Sequence, residues 1–231
     1  MPRSIAIDGP AGAGKSTIAK KVSTKLGFIY LDTGAMYRTV ALKALKSGVD
    51  TKNQKELALM MDHLNITISH DNNIQKIYLD GVDVSETIRT AEVSVGASNV
   101  AVFPEVRLKM VDLQRRIAAD KDVVMDGRDI GSYVLPMADL KIFLTASVDE
   151  RARRRYEELL QKGQTVSLEE VKADMLLRDN NDSSRAFAPL KKVPDAIEID
   201  STYLSIDEVV EKILYFYVNY AKTKNEDISE F

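Results

Sequence analysis

The residues of this sequence best placed to do chemistry lie near its start, at Gly9-Pro10-Ala11-Gly12-Ala13-Gly14-Lys15-Ser16-Thr17. They match the phosphate-loop pattern G-x-x-x-x-G-K-[ST] in full. Each element has a physical reason. Glycines accept positive φ and let backbone N–H groups curl around phosphates with no Cβ in the way. A helix starting at the end of the loop adds its positive N-terminal pole to the same anion. Lys15 then reaches the β- and γ-phosphates, and the Ser16 hydroxyl can ligate Mg²⁺. The competing reading is a plain glycine turn leading into a helix. A short apolar strand before the loop and a helical pattern after it favour nucleoside triphosphate binding instead.

A phosphate loop by itself does not separate a motor, a switch and a kinase. Two further features bear on the choice. Val123-Val124-Met125 is an apolar run closed by Asp126. That carboxylate suits the acidic Mg²⁺ partner of such folds, or it merely forms the turn that ends a strand. Arginines also gather near turns and strand ends: Arg38, Arg107, Arg128, Arg151, Arg153, Arg154, Arg155, Arg178 and Arg185. Their planar forks suit phosphate and carbonyl recognition. A solvated helix face explains any one of them, but three consecutive residues at 153–155 cover most of a helical turn.

Composition closes other routes. The 231-residue chain has no cysteine and only two histidines, His63 and His70, both in a polar stretch. Thiol nucleophiles, disulfide frameworks, zinc–thiolate sites and Ser-His-Asp catalysis are therefore excluded. The formal net charge of −3 gives no general basic surface for nucleic acid. No apolar run approaches the ~18 residues of a membrane span, and the N-terminus lacks a signal-peptide core. A soluble, cytoplasmic protein with no membrane partner is expected.

The elements that must position these residues follow from hydrophobic periodicity. Ser4–Asp8, Phe28–Leu31, Asp122–Met125, Leu140–Leu144 and Ala196–Ile199 read as short buried strands. Helices are expected from Lys15 to Leu26, from the second strand to about Leu45, over Lys55–Leu64 and over Glu92–Ala119 with a break at Pro104. Ser147/Glu150, Ser167/Glu170 and Ser205/Glu208 match capping boxes that start three more. The last of these runs to about Ala221, ahead of a polar tail. Between Leu64 and Val84 the period changes to short alternating strands, with turn residues at Asp71-Asn72-Asn73 and Asp80-Gly81. Strands alternating with helices imply a three-layer α/β fold around a parallel sheet, with a small antiparallel insert.

Four stretches carry a resemblance. Leu31-Asp-Thr-Gly-Ala-Met-Tyr-Arg38, Ser85–Glu92 (SETIRTAE), Asp126-Gly-Arg-Asp-Ile-Gly131 and Arg178–Leu190 (RDNNDSSRAFAPL) stand, with the loop GPAGAGKST, in the order found in bacterial cytidylate kinases. The similarity spans about residues 4 to 215. The chain thus resembles a family of nucleoside monophosphate kinases. The resemblance implies one P-loop kinase domain over 1–231, with a central parallel sheet of about five strands. It also implies a monophosphate-binding insert at about 64–84, core segments 1–63 and 85–231, and a short lid at about 147–165. The implied reaction is transfer from ATP, with Mg²⁺, to CMP or dCMP by a monomer.

By motif, the resemblance assigns ATP to the loop Gly9–Thr17 and to Arg151, and the metal to Ser16 and Asp126. Thr33 and Arg38 would contact the ribose and phosphate side of CMP. Ser98 and Arg107 would read the cytosine edge with Asp129, and Arg128 would hold the α-phosphate. Arg178, Asp182 and Arg185 would hold ribose and phosphates as the site closes. Lys15, Arg128, Asp129, Arg154 and Arg155 make up the catalytic set. Kinases acting on UMP, AMP, shikimate or dephospho-coenzyme A remain as alternatives, as does a nucleotide-dependent switch.

Overall fold

The computed structural model describes residues 2–71 and 74–223. Asn72-Asn73 of the expected turn and the tail from 224 lie outside the described residues. Parallel strands buried on both faces need continuous apolar runs, and the five such runs form one sheet. These are β1 (Ser4–Asp8) and β2 (Ile29–Asp32), with β6 (Val123–Gly127), β7 (Leu140–Thr145) and β8 (Ile197–Asp200) later in the chain. Their order is β2-β6-β1-β7-β8, and every pairing is parallel.

Alternation along β1 builds the two outer layers. Ile5 and Ile7 pack with α1 (Lys15–Leu26) and α8 (Ile206–Thr223). Ala6 packs on the opposite side with α2 (Thr33–Lys46), α3 (Gln54–Asp62), α4 (Ala91–Val100) and α5 (Pro104–Ala118). The break expected at Pro104 within Glu92–Ala119 is present and separates α4 from α5, because proline lacks the N–H and restricts the residue before it. Pro104 opens α5 in the first-turn position where that loss is harmless. The second strand begins one residue later than expected and ends at Asp32, whose side chain caps α2 through Ala35 N.

The period-two stretch forms a separate antiparallel sheet of β3 (Ile66–Asp71), β4 (Ile74–Leu79) and β5 (Val82–Asp83). It docks on the edge strand of the main sheet through side chains. Asp32 N donates to Gln75 Oε1 at 2.7 Å, and His70 Nε2 lies 2.7 Å from Tyr30 O. These bonds satisfy edge-strand groups that have no neighbouring strand.

Two helices complete the fold, α6 (Val148–Gln161) and α7 (Leu168–Ser184), which pack on each other. The expected capping box of α7 is complete, and Ser205 and Glu208 exchange the same two bonds ahead of α8. That of α6 is only half made. Ser147 accepts from Glu150 N, but the Glu150 carboxylate turns to Arg153 and Arg154. The Ser147 N–H donates to Thr202 Oγ1 at 2.9 Å instead, which leaves the carboxylate to the two guanidiniums.

Candidate active site

Three segments leave the carboxyl ends of β1, β2 and β6 and form the site, as expected for an open parallel sheet. The loop after β1 passes so close to β7 that a Cβ on Gly9 would sit 1.9 Å from Leu144 O. Gly14 holds φ 88° at the N-cap of α1, the left-handed region that favours glycine. Without a capping side chain, the first N–H groups of α1 remain directed at the hollow of the loop.

Lys15 is 5 % exposed, and its ammonium donates to Pro10 O at 2.6 Å across the loop. Burial, and next the Arg128 guanidinium, push its pKa down to about 7. A lysine so destabilised gains strongly from an incoming anion. Beside it, Ser16 Oγ and Tyr30 OH donate to the two oxygens of Asp126, at 2.9 and 2.7 Å. Burial, then Asp32, raise the Asp126 carboxyl above its ordinary range. Thr33 Oγ1 donates to Asp126 O at 2.7 Å, and Arg38 pairs with Asp32 at 2.8 Å.

The turn after β6 carries Arg128 and Asp129. Arg128 Nε donates to Asp182 of α7 at 2.6 Å, and Asp182 also meets Arg185 at 3.5 Å. Asp129 pairs with Arg107 of α5, a guanidinium 1 % exposed that lies 5.5 Å from the centre of the Tyr37 ring and 6.0 Å from that of Phe187. Arg38 Nε, Arg107 Nε and Arg185 Nη2 are buried and have no hydrogen-bond partner among the described residues. Leaving such donors unmet costs ~1–3 kcal/mol each, more for charged groups. Arg178 forms no ion pair among the described residues, and burial followed by Arg155 holds it below the usual arginine range. The region therefore holds more buried cation than its own carboxylates satisfy.

The α6 arginines diverge. Arg153 lies on the solvated face between Glu150 and Glu157. Arg154 reaches Ser201 O at 2.7 Å, and its Nη1 lies 4.0 Å from a Cβ built on Gly14. Arg155 pairs with Glu158. Arg151 turns inward: it donates to Ala146 O, to Ala11 O of the phosphate loop and to Asp179 of α7.

Comparison with known proteins decides the family. The sequence profile of the cytidylate kinase family matches residues 5–219. The chain is 51 % identical over 227 residues to a cytidylate kinase of Desulfitobacterium hafniense (strain Y51), covering 96 % of this chain and 97 % of that one. It is 55 % identical over 210 residues to a cytidylate kinase of Clostridioides difficile (strain 630), covering 91 % and 95 %. The chain belongs to the cytidylate kinase family. A gluconokinase from Sinorhizobium meliloti 1021, 12 % identical, superposes with a TM-score of 0.50 over 97 % of this chain and 96 % of its own, a likeness of fold alone.

Within this family fold, several residues expected to act together do meet. Arg107 joins Asp129, and Arg128, Asp182 and Arg185 form one cluster. Ser98 on α4 makes no bond to the Arg107–Asp129 pair; among the described residues its hydroxyl donates only to Ser94 O, at 3.5 Å. Sequence reading passed over Asp8, Tyr30, Tyr37 and Phe187. One signal was available: Asp8 and Tyr30 are polar groups at or near the carboxyl ends of buried strands, where open sheets place their sites.

Proposed function

We propose that this chain transfers the γ-phosphate of ATP to CMP and dCMP, giving ADP and CDP or dCDP. The observation that carries this reading is the set of unmet buried donors on Arg38, Arg107 and Arg185, beside a phosphate loop complete in sequence and geometry. A monophosphate and a base edge would satisfy those donors, and a triphosphate would fill the loop.

The roles follow the chemistry of each group. The loop Gly9–Thr17, with Arg151 bracing Ala11, holds the triphosphate, and Lys15 bridges the β- and γ-oxygens. Arg128 and Arg185 bind the acceptor phosphate, with Asp182 orienting both and accepting from the ribose hydroxyls. Thr33, Arg38 and Arg178 complete the ribose and phosphate contacts. Cytosine presents an N4 donor with O2 and N3 acceptors, so the Arg107–Asp129 pair, with the Ser98 hydroxyl offered separately from α4, is its polar complement. No side-chain base is needed, because the acceptor phosphate is already anionic. Positioning and charge neutralisation carry the rate.

The residues present fit Mg²⁺. Ser16 Oγ and Asp126 Oδ2 stand 2.9 Å apart at the end of the loop. A hard cation that takes its remaining ligands from water and phosphate needs no larger protein set. Ser16 and Asp126 would hold the ion, which would supply positive charge against the bound triphosphate.

In this reading the chain is one kinase domain. Its insert at about 64–84 walls the monophosphate, and its lid at about 147–165 brings Arg154 and Arg155 over the transferring group. Closure then excludes water from the γ-phosphate. A cytoplasmic monomer working in pyrimidine nucleotide metabolism completes the proposal. The test is ADP release measured across all nucleoside monophosphates. CMP and dCMP are expected to be best, UMP much slower, and AMP and GMP nearly inert; equal use of AMP would overturn the assignment.

A further inference from the structure

We infer that Asp8 is a positioning residue that fixes the acceptor-reading turn Arg128–Asp129 against the phosphate loop. This rests on the functional reading above. Asp8 is the last residue of β1, immediately before Gly9, and pairs in register with Gly127 of β6. Its side chain crosses to the neighbouring strand's exit. Oδ1 accepts from Ile130 N at 2.8 Å and Oδ2 from Gly131 N at 2.7 Å. Both bonds are buried, and they seize the backbone directly after Arg128 and Asp129.

Nothing smaller than this carboxylate does the same work. Two N–H groups need two acceptors, and an ionised carboxylate is the one short side chain offering only acceptors. The turn it grips is irregular, with Asp129 at φ −145°, ψ 25° and a five-residue π-helical turn at Ile130–Val134 behind it. Within the turn, Asp129 O accepts from Tyr133 N and Val134 N, which holds its carbonyl side; its N–H side, at Ile130 and Gly131, is held by the Asp8 oxygens. Gly131 packs closely beneath these bonds. A Cβ there would lie 3.4 Å from Asp8 Oδ2 and 3.1 Å from the Lys141 stem, whose ammonium is tied to Asp195.

Burial, against the pull of the Gly131 and Ile130 N–H bonds, raises the Asp8 carboxyl to about 6, with Asp129 contributing to the rise and Lys15 opposing it, so it is mostly ionised at neutral pH and both acceptors are available. The phosphate loop has its own restraints: its glycines, the contact of Gly9 with β7, and the Arg151 bond to Ala11 O. Loss of the Asp8 bonds therefore falls on the acceptor side more than on the donor side.

The test is kinetic. Asp8→Asn keeps the shape but sets an NH₂ group against one backbone N–H, a donor facing a donor. We expect KM for CMP to rise at least fivefold and kcat to fall, while ATP affinity measured by titration without CMP stays within about twofold. Should Asp8→Asn fail to fold, Gly131→Ala crowds the Lys141 stem and touches Asp8 Oδ2, disturbing the same bonds, and is expected to shift KM for CMP in the same direction. Equal losses for ATP and CMP would mark Asp8 as merely structural and overturn the inference, as would unchanged CMP kinetics in a folded variant. Wild-type enzyme in the same assay separates the two levels. No CMP turnover by wild type removes the functional reading and this inference with it, whereas wild-type turnover beside unchanged variants overturns the inference alone.

Discussion

The Arg107–Asp129 pair offers a perturbation that separates fold from recognition. Both side chains are nearly inaccessible, at 1 % and 6 %. Arg107→Met keeps most of the side-chain volume but strands the Asp129 carboxylate in a buried site. Breaking such a pair costs about 3–5 kcal/mol. Arg185, within electrostatic reach of Asp129, offsets part of that cost and favours the lower end. In a chain of this size the loss corresponds to a drop in Tm of roughly 6–20 °C. Adding Asp129→Leu removes the stranded charge, and well-packed apolar replacements of buried pairs are often neutral. The double variant should therefore recover most of the Tm. Its catalytic efficiency for CMP should remain roughly 10²-fold below wild type, because the polar complement to cytosine is gone. Thermal unfolding and coupled ADP release on the wild type, both single variants and the double variant give the full cycle. A double variant that regains both Tm and CMP efficiency would show the pair to be structural only, and would refute its assignment as the reader of the base.

Three further outcomes are expected. Lys15→Ala should lower kcat by roughly 10²–10⁴-fold with little loss of Tm, since it removes a transition-state contact and an amine whose burial already disfavours its charge; more than half of wild-type turnover would contradict this. Asp182→Ala frees Arg128 and Arg185 and should impair CMP more than dCMP, because only CMP has the 2′-hydroxyl; steady-state kinetics on both acceptors checks it. Asp8 titrates near pH 6 when folded, above the ~3.9 of an unfolded aspartate. Between those values the folded chain binds more protons, so the Asp8 contribution to stability is present below about pH 4 and is lost as pH rises through about 6. Urea midpoints of wild type and Asp8→Asn should show that difference and no further change above pH 7. Activity runs the other way, with KM for CMP rising as pH falls below about 6. The phosphate of CMP titrates near the same pH, so the informative quantity is the flattening of that limb in Asp8→Asn.

Legibility in the sequence tracked the range of the interactions. Val123–Met125 and Leu140–Leu144 announced buried parallel strands because both faces are covered, and Pro104 marked the break between α4 and α5. The phosphate loop is a local device, and its pattern could be read in nine consecutive residues. Contacts between distant segments were not readable. Asp8 meets residues 122 and 123 positions away, and Tyr30 meets Asp126 across two strands. Nor could spacing tell which way neighbouring arginines turn. Arg151 faces inward to Ala11 O and Asp179, whereas Arg153, two residues on, lies in solvent between two glutamates. Glu150 likewise matched a capping box by pattern, yet its carboxylate is taken by arginines one turn ahead.

Phosphate transfer from ATP to CMP is the claim on which the rest depends, and one competition measures it directly. Wild-type protein with Mg²⁺ and ATP labelled at the γ-phosphate is offered CMP, UMP, AMP and GMP at equal concentration, and the products are resolved chromatographically. Early label is expected almost entirely in CDP, with a minor UDP peak. Label appearing chiefly in the diphosphate of AMP or GMP, or in free phosphate, would contradict it.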